Sequence, residues 1–257
     1  MIRTATWNMQ AVMPVRSDGK WGYLHDVVRP DVAVLTEAKP EEAGYRLFYR
    51  EGGLGNRRRW GTIVATAPTV DATEATTVRR GLRAHSLIGT WPGSVVVADL
   101  VTPAGTGLTL VGVYAVTTDD QQQSVGHGYY TSRSIVNELA PLFEDPTRPN
   151  ILLAGDLNLL PPDARYVMAS LPLVDLVERT GGSRPPNEDC ACEDPKPTAH
   201  IWTHRNKGRH PKEQQVDYLY ATESLAERLT RLEGGPADFP DIWEWSDHAP
   251  LVAEFDV

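Results

Sequence analysis

The sequence predicts an α/β fold in which two packed sheets are flanked by helices. Short, uninterrupted apolar runs recur between turn residues, a pattern typical of strands that are buried on both faces. Helical patterns are fewer, and pairs of predicted strands separate them. This order favours two packed sheets over a repeated strand–helix–strand unit.

The predicted elements follow from the spacing of apolar residues along the chain. Residues 1–8 already resemble a strand, and further strands are predicted at 32–35, 62–65, 94–100, 108–116, 151–154, 201–203, 216–221 and 250–255. Helical spacing predicts helices at 21–28, 131–143, 163–170, 173–179 and 223–232. Residues 181–197 are rich in Gly, Pro and polar residues, which predicts a long surface loop. Candidate site residues lie on both sides of this loop, so we expect one domain over residues 1–257.

The composition is that of an ordinary globular protein. Apolar residues make up 41% and charged residues 23% of the 257 residues. No apolar run approaches the ~20 residues of a membrane span, and no secretory signal is visible. The two cysteines, Cys190 and Cys192, are too close in sequence for an unstrained mutual disulfide. We therefore expect a cytoplasmic monomer that does not bind membranes.

Carboxylate and amide side chains follow several predicted strands at the point where each strand ends. Asp156 and Asn158 come after the run 151–154, and residues two apart on a strand point to the same face. Glu37 and Asn8 occupy similar positions after earlier strands. Carboxylates at strand ends suit a hard metal ion and a water nucleophile. Turn residues that only end a strand would give the same pattern.

An aspartate and a histidine near the C-terminus form a second candidate group. Asp217 interrupts the apolar run 216–221, where an unpaired buried charge would be costly. His248 is a candidate partner, because a carboxylate fixes the imidazole tautomer and favours its protonated form. A structural ion pair with an arginine is the alternative. Asp247 directly precedes His248.

Taken together and in this order, the motifs resemble the endonuclease/exonuclease/phosphatase superfamily, which includes pancreatic deoxyribonuclease and exonuclease III. The resemblance spans the whole chain and rests on Trp7-Asn8, residues 30–37, Gly61-Thr62-Ile63-Val64, Gly155-Asp156-Leu157-Asn158, Gln215-Val216-Asp217-Tyr218 and residues 246–251. It implies a four-layer α/β/β/α sandwich of two packed mixed sheets flanked by helices. It also implies a site in a cleft above the inner edges of the sheets.

The resemblance implies a set of metal ligands. Glu37 would be the principal ligand of Mg²⁺ or Mn²⁺, aided by Asn8 and Asp247.

The family usually places a His or Tyr after the mid-chain strand to contact the phosphate. Tyr114 matches that position, although the Pro-Gly that follows it in the exonuclease III branch is replaced by Ala-Val, and a core tyrosine is the alternative. His127, on a predicted loop, is a further candidate.

The resemblance also implies catalytic roles. Asp156 would orient and deprotonate the attacking water, and Asn158 would hold that water or the phosphate. His248, supported by Asp217, would stabilise the charge that develops on the phosphoryl oxygens. An imidazolium and a metal ion aimed at developing negative charge are suited to the hydrolysis of phosphate esters.

Local basic groups supply candidates for substrate binding, although the net charge is −9. The candidates are Arg58, His204, Arg205, Lys207 and Arg209, which could contact a phosphate backbone or simply form solvated loops. A zinc site was a competing interpretation for part of this region, since Cys190, Cys192, His200 and His204 form C-x-C followed by H-x-x-x-H. Histidines alternating on one strand face would equally suit the wall of a substrate cleft.

These observations favour a metal-dependent phosphodiesterase, most specifically a nuclease acting on DNA or RNA. The acidic net charge and the opening Asn8-Met9-Gln10 argue against abasic-site specificity. The alternative is a phosphomonoesterase of a nucleotide, an inositol phosphate or another small phosphorylated metabolite. A non-catalytic binding scaffold is a third hypothesis, which the retention of all the core site residues disfavours.

Overall fold

The structure is a computed structural model that describes residues 1–10, 17–41, 44–52, 61–80, 83–89, 91, 93–116, 129–181, 192, 200–206 and 211–257. Its strands in chain order are β1 (Ile2–Asn8), β2 (Val32–Ala38), β3 (Arg46–Glu51), β4 (Gly61–Thr66), β5 (Asp71–Glu74), β6 (Thr77–Arg80), β7 (Arg83–Ser86), β8 (Val95–Val101), β9 (Gly107–Tyr114), β10 (Ile151–Asp156), β11 (Val174–Asp175), β12 (His204–Arg205), β13 (Glu213–Gln214), β14 (Asp217–Ala221), β15 (Leu229–Gly234) and β16 (Leu251–Phe255).

The helices are shorter and fewer. They are α1 (Ser17–Tyr23), α2 (Tyr129–Phe143), α3 (Pro161–Met168), α4 (Leu176–Thr180), α5 (Glu223–Ala226) and α6 (Gly235–Asp238). A π-helical turn, Leu24–Val28, extends α1, and a 3₁₀ turn covers Ile242–Glu244.

Two six-stranded mixed sheets form the centre of the fold. The first has the order β15-β16-β1-β2-β4-β3 and the second the order β11-β14-β10-β9-β8-β5. Each contains one parallel pair near its middle, β1 with β2 and β9 with β10, among antiparallel neighbours. Because parallel strands end at the same edge, each pair brings two strand ends together.

Alternating side chains divide the core into layers. Val34 of β2 and Leu110 of β9 belong to the apolar cluster between the two sheets. The next residue along β2, Leu35, faces the opposite way and packs in the cluster that includes residues of α1 and the π-helical turn. On the far side of the second sheet, Leu139 of α2 packs with β9 and β10. The predicted four-layer sandwich is therefore confirmed.

Most predicted elements are present, and the differences have local causes. Residues 223–232 were predicted to be one helix, which was wrong, because only α5 is helical and Leu229–Gly234 pairs with β16 as an edge strand. Residues 201–203 form no strand, and the extended pairing begins at His204. The predicted helix 173–179 begins only after β11, where the Asp175 carboxylate caps the amides of Val177 and Glu178.

The two ends of the described chain lie side by side in the first sheet. Strand β1 pairs along its length with β16, from Ile2 opposite Phe255 to Thr6 opposite Leu251. The amino group of Met1 donates a hydrogen bond to the carbonyl of Val257 at 3.2 Å. Among the described residues, no helix is long and apolar enough to cross a membrane.

Candidate active site

The predicted site residues meet where strands of both sheets end. Tyr114, at the end of β9, lies opposite Asp156 at the end of β10, and Asp156 lies opposite Asp217 at the start of β14. From the other sheet, the side-chain amide of Asn8 donates to Asp156 Oδ2 at 2.8 Å. The site therefore spans the gap between the sheets, as the resemblance implied.

Asp156 is the most deeply placed carboxylate of the group. It is 1% exposed, and its two oxygens accept hydrogen bonds from the side chain of Asn8 and, at 2.7 Å, from the backbone N–H of Asn158. Burial, followed by the charge of Asp217, raises the pKa of Asp156 to about 8, and the charge of His248 and these hydrogen bonds only partly offset the rise. A carboxylate with this pKa is a stronger proton acceptor than an ordinary aspartate.

The backbone geometry that places Asp156 depends on the preceding glycine. Gly155 has φ = 145°, and a Cβ added there would lie 1.8 Å from the carbonyl oxygen of Val113. After the strand, Asn158 adopts a left-handed φ of 50° and donates its side-chain amide to the carbonyl of Ala115 at 2.9 Å. These constraints fix the direction in which the Asp156 carboxylate points.

Glu37 lies at the end of β2, in the same cleft. It adopts a left-handed φ of 46°, at an irregularity in the pairing of β2 with β4 between Leu35 and Ala38. The Tyr114 hydroxyl donates to Glu37 Oε1 at 2.7 Å, and Asn8 Nδ2 makes a longer contact of 3.4 Å with the same oxygen. Tyr114 is buried, but its hydroxyl faces the site, so it is more than a core tyrosine.

His248 and Asp217 form the pair that the sequence predicted. His248 Nδ1 lies 2.8 Å from Asp217 Oδ2, and both side chains are buried. Burial by itself would lower the pKa of His248, but the charge of Asp217 and the hydrogen bond to it, together with the charges of Asp156 and Asp247, raise that pKa to about 10. At neutral pH His248 is therefore an imidazolium beside a buried carboxylate.

Residues of the hairpin formed by β12 and β13 lie beside this pair. The ring of His204 lies 4.6 Å from that of His248 at 44° between planes, and Gln214 Nε2 lies 3.1 Å from His204 Nδ1. The backbone N–H of Arg205 donates to the carbonyl of Asp247 at 2.8 Å. The short hairpin of β12 and β13 thus lies against the histidine, which agrees with the cleft-wall interpretation of His204.

Asp247 has a partner that the sequence did not reveal. Gln10 Nε2 donates to Asp247 Oδ2 at 2.6 Å, and the backbone N–H of Gln10 donates to Asn8 Oδ1 at 2.9 Å. The only sequence signal for Gln10 is its position two residues after Asn8, just beyond a strand end.

The oxygen donors of Glu37, Asn8 and Asp247 fit a hard divalent cation, because Mg²⁺ and Mn²⁺ prefer carboxylate and carbonyl oxygens. A second arrangement is also present: ligand atoms of Asp156, Asp217 and His248 lie within 4.8 Å of one another. In that group the Nδ1 of His248 is engaged by Asp217, and one oxygen of Asp217, Oδ1, is buried without a hydrogen-bond partner among the described residues.

Several predicted residues lie outside the described residues. They include the substrate-binding candidates Arg58, Lys207 and Arg209, together with His127 and Cys190. Most of the predicted loop 181–197 is also outside them. Cys192 is buried, and its sulfur accepts a hydrogen bond from the backbone N–H of Gln215 at 3.2 Å. Within the described part of the chain, Cys192, His200 and His204 do not form a metal-binding group.

Solved structures match the fold of this chain, whereas the two sequence-based comparisons found no match. No protein-family model and no curated protein matches the chain. The 3′ phosphatase NExo from Neisseria, bound to a product DNA hairpin, matches with a TM-score of 0.67 and 17% identity over 100% of both chains. An AP endonuclease from Archaeoglobus fulgidus matches with a TM-score of 0.64 and 19% identity over 100% of both chains.

A third solved structure extends the comparison. The endonuclease domain of TRAS1, a telomere-specific non-LTR retrotransposon, matches with a TM-score of 0.65 and 14% identity, covering 100% of this chain and 99% of that chain. At these identities the likeness establishes a shared fold.

Proposed function

The chain has the endonuclease/exonuclease/phosphatase fold, and we propose that it is a divalent-metal-dependent phosphodiester hydrolase, specifically a nuclease acting on DNA or RNA. The observation that carries the proposal is the buried pair of Asp217 and His248, which lies next to the buried carboxylate of Asp156. A structural role alone does not explain why a fold would bury two carboxylates and an imidazolium together at the ends of three strands.

We assign the proton-transfer role to Asp156. Its raised pKa suits it to accept the proton of a water molecule as the water oxygen attacks phosphorus and the bond to the leaving oxygen breaks. Asn8 and Asn158 hold the two carboxylate oxygens and so fix their direction. We also assign to Asn158 a contact with the water or the phosphate.

We assign charge stabilisation to His248. Its imidazolium, kept protonated by Asp217, stabilises the negative charge that grows on the phosphoryl oxygens. A divalent ion, when bound by Glu37, Asn8 and Asp247, would supply further positive charge at the same oxygens. We place the ion there rather than on the Asp156–Asp217–His248 group, because the contact of Asp217 with His248 Nδ1 is a hydrogen bond.

The nucleic-acid substrate is supported by the relatives and by the basic residues. NExo is a 3′ phosphatase whose structure is bound to a product DNA hairpin, and the Archaeoglobus protein is an AP endonuclease. In this chain Arg205 follows His204 in β12, which lies beside His248. Arg58, Lys207 and Arg209 are further candidates for phosphate contacts. The whole chain, residues 1–257, is proposed to form one such catalytic domain.

The proposal is tested by cleavage of end-labelled single- and double-stranded DNA and RNA in Mg²⁺ or Mn²⁺, with EDTA as a control. We compare the wild type with Asp156→Asn and with Asp71→Asn, which changes an exposed carboxylate at an edge strand of the second sheet. Metal-dependent cleavage that only Asp156→Asn removes is the expected result. If no polymer is cleaved but phosphate is released from nucleotides or inositol phosphates, the phosphomonoesterase alternative replaces the nuclease.

A further inference from the structure

Gln10 adopts a backbone conformation that its surroundings must maintain. Its φ is 43°, in the left-handed region that costs a non-glycine residue roughly 1–2 kcal/mol. Its N–H donates to Asn8 Oδ1 at 2.9 Å, and the ammonium of buried Lys20 donates to the carbonyls of Met9 and, at 3.3 Å, Gln10. Strained backbone of this kind is found mainly at functional sites, where the strained conformation positions a functional group.

The strained conformation lets one residue reach two predicted metal ligands. The side-chain amide of Gln10 donates to Asp247 Oδ2 at 2.6 Å. The backbone N–H engages Asn8 Oδ1, so the Asn8 amide is oriented with its nitrogen toward Asp156 and Glu37. The hydrogen bond from Asn8 Nδ2 to the Asp156 carboxylate selects the same orientation, because a flipped amide would direct its oxygen at that carboxylate.

We propose that Gln10 is a positioning residue for the divalent ion of the proposed function, holding Asp247 by its side chain. The inference rests on the proposed function and deepens it. An amide N–H₂ is a donor only, so Gln10 Nε2 cannot itself coordinate a cation. By holding Asp247 Oδ2, Gln10 fixes the direction of the other carboxylate oxygen, Oδ1. Outer residues that hydrogen-bond to ligating carboxylates act in the same way.

The test uses two substitutions that separate positioning from stability. Gln10→Gly removes the side chain but keeps the backbone N–H and favours the left-handed φ. Gln10→Met keeps the length of the side chain and removes the donor. We expect Mn²⁺, titrated into the metal-free protein and followed by the electron paramagnetic resonance of the free ion, to bind each variant roughly 10- to 100-fold more weakly. Urea unfolding should show that Gln10→Gly is at least as stable as the wild type.

Asp247→Asn, alone and combined with Gln10→Gly, completes the experiment. We expect the double variant to bind Mn²⁺ no more weakly than Asp247→Asn alone, because both changes act on one carboxylate. The inference is overturned if the Gln10 variants keep the wild-type affinity, if Asp247→Asn has no effect, or if the two losses add fully. In each of those cases Mn²⁺ binding to the wild type leaves the proposed function standing. A wild type that binds no Mn²⁺ overturns both.

Discussion

Replacing Asp217 by Asn removes the charge that holds His248 in its protonated form. The pKa of His248 stands at about 10 against an ordinary 6.5, and at ~1.4 kcal/mol per pH unit this is a preference of about 5 kcal/mol for the imidazolium. A Coulomb energy of about 6 kcal/mol follows independently from the 2.8 Å separation with an effective dielectric constant of ~20. The first figure is the net of burial and several charges, whereas the second covers Asp217 alone, so the Asp217 charge is large enough to account for the direction of the shift.

The direction of the change follows from the remaining influences on the imidazole. Once the Asp217 charge is gone, burial, which is the largest influence and lowers the pKa of His248, is opposed only by the charges of Asp156 and Asp247, so we expect a value in the variant near or below the ordinary 6.5. At pH 8 the protonated fraction then falls from nearly all to below roughly 3%. If catalysis needs the imidazolium, turnover at pH 8 falls at least roughly 30-fold from this cause alone.

The assay is an NMR titration of His248 in the metal-free wild type and in Asp217→Asn, followed by a pH profile of cleavage from pH 5 to 10.5. Because the Asp217 charge also raises the pKa of Asp156, removing it should move the acidic limb of the profile to lower pH as well. A His248 pKa that stays above about 8 in the variant would refute the reasoning, because burial would then not outweigh the charges of Asp156 and Asp247.

Two further predictions concern stability. Gly155→Ala should destabilise the protein by roughly 3 kcal/mol or more, because the new Cβ would lie 1.8 Å from the Val113 carbonyl oxygen. Urea unfolding measures this loss. The control is Gly107→Ala, which should be nearly neutral because no atom lies within 4 Å of the new Cβ. Burial raises the pKa of Asp175 to about 6 from 3.8, so its contribution to stability is fully present below pH 3.8 and is lost as the pH rises through 6. Asp175→Asn keeps the helix cap and should therefore gain about 2 kcal/mol on the wild type between pH 4 and pH 7. An unchanged difference over that range would contradict the assignment.

The sequence predicted the central strands and the buried carboxylates for the same physical reason. Strands such as β2 and β10 are buried on both faces, so their residues form plain apolar runs, and a charge such as Asp217 inside one is conspicuous. The edge strand β15 reads Leu-Thr-Arg-Leu-Glu-Gly with mixed exposure, which resembles the end of a helix. Only its pairing with β16 makes it a strand.

Parts of the site could not be predicted, because they depend on distances across the fold. The hydrogen bond from Tyr114 to Glu37 joins the two sheets, and no local pattern encodes it. The left-handed backbone of Gln10 and Glu37 places non-glycine residues where sequence propensity does not expect them. Such positions are where local preference and function conflict.

The pairing of β1 with β16 has a consequence for how the protein is made. Asn8 is translated about 240 residues before Asp247 and His248, which lie in the same candidate site, and β16 borders β1 in the sheet. The first strand must therefore wait, with one edge uncovered, until nearly all of the described chain has left the ribosome. A nascent chain that ends before residue 248 lacks His248, so under the proposed function it cannot yet hydrolyse a phosphodiester.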